Sequence, residues 1–152
     1  MRMTLATGAK APDATLPNQT GAETQLSQKW QSGPIVLYFY PKDETPGCTA
    51  EACSFRDNFE VFKEAGAEVI GVSNDSVESH KKFAEHHRLP FTLLSDKGSV
   101  LAKTYGVGKT LGLLPGRVTF IIDKTGTIRH VFNSQLQAKK HVQEALTILK
   151  SL

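Results

Sequence analysis

Residues Ile35-Val36-Leu37-Tyr38-Phe39-Tyr40 form an unbroken apolar and aromatic run. A strand with one wet face alternates apolar and polar residues, whereas an unbroken run marks a strand buried on both faces. Pro41 ends it, because proline cannot donate to a sheet ladder. A strand of this kind needs cover on two sides, which demands helices packed on both faces of a sheet. The rest of the chain supplies them. Glu68–Ser73 and Phe91–Leu94 read as further strands, and Val77–His87 as a helix that Asp75 or Ser76 can cap. A helix is predicted from Thr49 to Ala65, with Gly66 as its stop, and a short one over Ser99–Tyr105. Val118–Ile122 and Thr127–Phe132 flank the turn Asp123-Lys124-Thr125-Gly126. The stretch from Ala138 to Leu149 places Val142, Ala145, Leu146 and Leu149 at helical spacing. Ala14–Leu16 and Glu23–Leu26, split by a turn-rich segment, predict an N-terminal β-hairpin. The expected class is α/β, with a mixed central sheet flanked by helices.

The chain has 152 residues, the size of one ordinary domain, 1–152. A domain of this length buries roughly 70% of its unfolded surface, so its core needs no disulfide or metal. Net charge is +3, from 18 Lys+Arg against 15 Asp+Glu. The basic residues are scattered, with Lys81-Lys82 and Lys139-Lys140 the only adjacent pairs, which argues against nucleic acid. No apolar stretch reaches the ~18 residues of a membrane span. Met1 to Pro12 lacks the apolar core of a secretory signal, which predicts a reducing, cytoplasmic setting. A mature organellar protein looks the same. The two cysteines, Cys48 and Cys53, are too few for a disulfide scaffold or a four-cysteine metal site. A close pair in a reducing compartment points instead to redox chemistry.

Cys48 falls where the strand has ended and a helix begins. Unpaired N–H groups and the helix dipole favour an anion there, and a thiolate is an anion. Thr45 puts a hydroxyl three residues upstream, within reach of that sulfur or of a bound oxygen. Pro41 and Pro46 stiffen the loop. Cys48 also lies on the apolar stripe 48, 52, 55, 59, 62, so a small buried core residue is the alternative. Cys53 is harder to read as core. It lies about 160° around an ideal helix from Phe55, on a face shared with Asp57, Glu60 and Glu64. That position suits a partner thiol, the alternative being an incidental surface cysteine. The histidines at 80, 86, 87, 130 and 141 show no metal spacing, and His86 and His87 are adjacent helix residues, which point apart.

Pro41-x-x-x-Thr45-x-x-Cys48 resembles the active-site motif of the peroxiredoxins. The fuller Tyr40-Pro41-Lys42-Asp43-x-Thr45-Pro46-Gly47-Cys48-Thr49-x-Glu51 is similar to the Q-type, or bacterioferritin comigratory protein, branch. The likeness runs from Gly8-x-x-Ala11-Pro12 through Gly71-Val72-Ser73 and Leu94-Ser95-Asp96 to the terminal helix, and implies a thioredoxin-like fold. It implies that Cys48 is the thiolate that attacks peroxide, and that Thr45 and nearby N–H groups hold the peroxide oxygens. Pro41 would shield the sulfenic acid, and Gly47 belongs to the same loop. Arg117, in Pro115-Gly116-Arg117-Val118, matches the family arginine. A guanidinium is always charged and offers five donors, so it can stabilise the thiolate and the departing oxygen. Glu51 can orient Arg117, or simply favour the helix start.

The implied cycle uses no cofactor or metal. Cys48 becomes a sulfenic acid, condenses with Cys53 to a disulfide, and is recycled by thioredoxin or a similar dithiol. The branch needs no partner chain for its second thiol, which implies a monomer. On an ideal helix the two Cα atoms lie about 8.6 Å apart. A disulfide needs roughly 4.4–6.8 Å, so the helix start must unwind. The rival readings are a thioredoxin-like disulfide oxidoreductase, which would expect two residues between the cysteines, and a thiol-based binding module.

Overall fold

A computed structural model describes residues 4–110, 114–134 and 137–152. The apolar run forms β3 (Ile35–Phe39), with every residue buried. It is the middle of a five-stranded sheet with β4 (Glu68–Ser73), β5 (Thr92–Ser95), β8 (Val118–Ile122) and β9 (Ile128–Asn133), in the order β5-β4-β3-β8-β9. β4 runs parallel to β3, β5 parallel to β4, and β8 antiparallel to β3.

The period of two along β3 explains why the run is unbroken. Val36, Tyr38 and Tyr40 enter one core, with Cys48, Ala52 and Phe55 of α2 (Pro46–Asp57) and Val142 and Ala145 of α6 (Ala138–Lys150). Ile35, Leu37 and Phe39 enter a second core on the opposite face, with Leu26 and Trp30 of α1 (Leu26–Ser32) and Leu101 of α5 (Val100–Thr104). The remaining helices are α3 (Phe59–Glu64) and α4 (Val77–His87). The N-terminal hairpin pairs β1 (Thr15–Pro17) with β2 (Glu23–Gln25), and a small ribbon pairs β6 (Lys109–Thr110) with β7 (Leu114–Pro115). This is the expected mixed sheet with helices on both faces and an N-terminal hairpin.

Three local readings need correction. The helix predicted from Thr49 to Ala65 starts earlier, at Pro46, and is two helices. Proline at the first position costs no intrahelical bond and sets φ for the turn. Asn58 breaks the helix: its amide Nδ2 donates to the Ser54 carbonyl at 2.8 Å, in competition with the ladder. Glu60 and Glu64 therefore belong to α3 and do not share a helix face with Cys53. Helix α1 was not anticipated. Its start is capped from outside, by Asp13 Oδ1 accepting from Ser27 N at 2.8 Å and Asp13 Oδ2 from the Ser27 hydroxyl at 2.7 Å. α4, by contrast, has the predicted bounds and the predicted cap, Ser76 accepting from Ser79 N at 3.1 Å.

The topology sets the site. β3 delivers the chain to its carboxyl end, where the loop 40–45 turns into α2. Ligand sites of parallel sheets lie at strand carboxyl ends. β8 enters the sheet beside that same end, with Val118 opposite Phe39 and Thr119 opposite Tyr38. Arg117, one residue before β8, must therefore stand beside the loop.

Candidate active site

Cys48 is the third residue of α2, after Thr45 at the cap and Pro46 at the first position, and it is 1% exposed. Thr49 N donates to Thr45 O at 2.8 Å. The N–H groups of Gly47 and Cys48 precede this bond and stand at the positive end of the helix.

Arg117 crosses from the start of β8 and bridges two residues of α2. Its Nη2 donates to Cys48 Sγ at 3.4 Å and its Nη1 to Glu51 Oε1 at 2.5 Å. One turn of helix separates positions 48 and 51, so a single planar guanidinium spans both. Gly47 makes the approach possible: a Cβ there would lie 2.9 Å from Arg117 Nη2.

Glu51 is fully buried, and burial pushes its carboxyl up to about 8 even though Arg117 pulls the other way. Burial lowers the Arg117 pKa, but Glu51 and Cys48 outweigh it and hold the guanidinium above its already high value. Among the described residues the second Glu51 oxygen has no hydrogen-bond partner, and His141 Nδ1 stands 3.7 Å from it. His141, on α6, also meets Thr119 Oγ1 at 2.8 Å through Nδ1 and Ser134 O at 2.8 Å through Nε2. Since a carbonyl only accepts, Nε2 carries the proton.

Thr45 and Pro41 belong to the segment that leads into α2. The Thr45 hydroxyl donates to Lys42 O at 2.9 Å, so what it has left to offer is an acceptor. Pro41 is buried. The loop is pinned from behind by Asp43, which sequence reasoning left without a role. Asp43 accepts from the Tyr40 hydroxyl at 2.6 Å and from the Ser79 hydroxyl at 2.8 Å, and lies 2.7 Å from His80 Nδ1. Its N–H donates to Asp75 Oδ2 at 2.9 Å. Cys53 stands apart, half-buried further along α2, and both thiols are free. The structure thus brings Cys48, Gly47, Glu51 and Arg117 together and adds His141, Thr119 and the Asp43 network. Asp43 was visible in the motif, but nothing local marks His80 or His141.

The AhpC/TSA family model matches residues 7–131. The peroxiredoxin Q of Sedum lineare, a chloroplastic protein, is 53% identical over 146 residues, covering 95% of this chain and 78% of that one. The chain belongs to the AhpC/TSA family, in its peroxiredoxin Q branch. Among solved structures, peroxidoxin BcpB of Mycobacterium tuberculosis superposes with a TM-score of 0.91 at 40% identity, covering 97% of this chain and 98% of that one. A bacterioferritin comigratory protein of Xanthomonas campestris, studied for alkyl peroxide reduction, superposes at 0.85 with 28% identity, covering 99% and 98%. Peroxiredoxins are thiol peroxidases, and this chain is one, with a thioredoxin-like fold.

His141 gives this peroxiredoxin a testable pH response. Burial, first, and Arg117 lower its pKa to about 4 from 6.5, against Ser134 and Glu144, which raise it. Between those values the unfolded imidazole binds a proton that the folded one refuses. Its contribution to stability is therefore complete above about 6.5 and is lost as pH falls toward about 4. Glu51 acts with opposite sign: its folded carboxyl keeps a proton up to about 8. A comparison of variants isolates the histidine. His141→Gln should flatten the fall in urea-unfolding free energy on acidification, by up to roughly 3 kcal/mol. Parallel pH profiles for the two proteins would remove His141 from the account.

Proposed function

We propose that Cys48 is the peroxidatic thiolate, and that Arg117, Thr45, Gly47, Glu51 and Pro41 serve it. The observation that carries this reading is the guanidinium of Arg117 held against both Cys48 Sγ and Glu51. A guanidinium fixed beside a sulfur at a helix start is placed to oppose the negative charge that passes through that sulfur in an attack on peroxide.

The thiolate attacks the outer oxygen of a hydroperoxide. A sulfur–oxygen bond forms, the oxygen–oxygen bond breaks, and the released alkoxide or hydroxide takes up a proton. Arg117 opposes the negative charge that moves from sulfur to the departing oxygen. The Gly47 and Cys48 N–H groups can donate to the peroxide oxygens, and the Thr45 hydroxyl, which donates to the Lys42 carbonyl, can accept a hydrogen bond from the hydroperoxide O–H. Gly47 leaves the space that Arg117 occupies, Glu51 holds its far nitrogen, and Pro41 closes the back of the loop.

Cys53 then condenses with the Cys48 sulfenic acid, giving an intramolecular disulfide and water. A thioredoxin-type dithiol reduces it by exchange and is itself oxidised. One chain holds both thiols, so the cycle is complete in a monomer. No helix among the described residues is long and apolar enough to cross a membrane. The Sedum lineare relative is chloroplastic, and a reducing compartment of that kind or the cytoplasm meets the same chemical need.

The disulfide requires movement. α2 is continuous through Cys48 and Cys53, and helical spacing holds the Cα atoms too far apart to bridge. The far end is anchored, since Phe55 stacks on Tyr38 at 4.6 Å and meets Phe62 at 5.6 Å. The near end buries only Cys48, Glu51 and Ala52. Oxidation should therefore unwind the turns from Pro46 to Ser54 and release Arg117. Amide exchange over these residues should accelerate in oxidised protein, and peptide mass spectrometry should map the Cys48–Cys53 bridge. Cys53→Ser should react once with peroxide and then fail to turn over with thioredoxin. Full amide protection in the oxidised form would rule the bridge out.

A further inference from the structure

We propose that Glu44, His86 and His87 form a binding site for a divalent transition-metal ion of the zinc class, joining the loop before Cys48 to the end of α4. Adjacent helix residues ordinarily point apart. Here the pair ends the helix, and both rings turn to one carboxylate. His86 Nδ1 lies 3.0 Å from Glu44 Oε2, and His87 Nε2 lies 2.9 Å from Glu44 Oε1. The ring centroids are 4.1 Å apart, and the donor atoms of the three residues all fall within 4.8 Å of one another.

The dimensions suit zinc. Bonds of about 2.0–2.1 Å in a tetrahedron put neighbouring ligand atoms about 3.3 Å apart. The two nitrogens already stand near that distance from the carboxylate, so one dication can sit between them and it. Two imidazoles and one carboxylate prefer zinc-like ions to magnesium, and three protein ligands leave a position for water.

Two ligands are held in place. His87 packs edge-on against Phe83 at 5.2 Å, and its carbonyl accepts from Arg56 Nη1 at 2.7 Å, which already joins α2 to α4. Glu44 has a left-handed backbone, φ 63°, unusual for a residue with a side chain.

The test uses the full chain carrying Cys48→Ser and Cys53→Ser, so that no thiolate competes for metal. Titration with Zn²⁺ by calorimetry at neutral pH should show one equivalent bound, Mg²⁺ should give none, and affinity should fall with pH as protons displace the ion. Adding His86→Gln and His87→Gln should abolish binding, and Glu44→Gln should weaken it at least about tenfold. Zinc should move the imidazole NMR signals of His86 and His87, leave those of His80, His130 and His141 in place, and slow amide exchange at Glu44 and Thr45. Absence of saturable binding, or binding undiminished in the double histidine variant, or zinc-induced shifts at the other histidines instead, would overturn the proposal.

Discussion

Cys48→Ser is expected to reduce peroxide consumption to the background of the assay mixture. Serine nearly preserves the volume of a side chain that is 1% exposed in the first core, so the fold should survive. What changes is the nucleophile. An alcohol stays protonated where a thiol ionises, and the Arg117 nitrogen 3.4 Å away would then face a neutral oxygen. Cys53 cannot substitute, since it lies at a different position on α2 and is half-buried. Competition with a peroxidase of known rate would measure the loss. Substantial activity with an unchanged circular dichroism spectrum would remove Cys48 from the attacking role.

Arg117→Ala should slow the first oxidation step by ~10²–10³-fold, the usual effect of deleting one fixed donor from a reacting centre. Deleting one partner of a buried ion pair ordinarily destabilises by about 3–5 kcal/mol, because the other charge is left unpaired. Glu51 has an escape. Burial already favours its protonated form, and without Arg117 it can hold that proton and remain buried as a neutral acid. The variant should therefore fold and react slowly. Arg117→Lys tests the geometry, since a point ammonium cannot reach Cys48 and Glu51 together as the guanidinium fork does, and its rate should fall between the two. Stopped-flow fluorescence on the three proteins decides the matter. Equal oxidation rates would reduce Arg117 to a packing residue.

Patterns that depend on near neighbours were legible in the chain. The buried strand announced itself in Ile35–Tyr40, because both of its faces had to be apolar. α4 announced itself through Ser76 and its helical period, and Pro41, Thr45 and Cys48 carried the family resemblance from which thiol chemistry was expected. Contacts between distant residues were not legible in local patterns, and only the family resemblance brought Arg117 to Cys48 and Glu51. The first turn of α1 is capped at Ser27 by a carboxylate fourteen residues upstream, Asp13, and only the folded hairpin places it there. Arg117 reaches Cys48 across 69 positions because β8 pairs antiparallel with β3, a register no local pattern encodes. His141 comes to Glu51 only when α6 packs on α2. His86 and His87 converge on Glu44 only because the loop returns over the end of α4. The local sequence selects elements through steric and hydrogen-bonding preferences that act within a turn or two. The electrostatic environment of Cys48 arises from groups that chain topology alone brings together, and burial then sets their charge states.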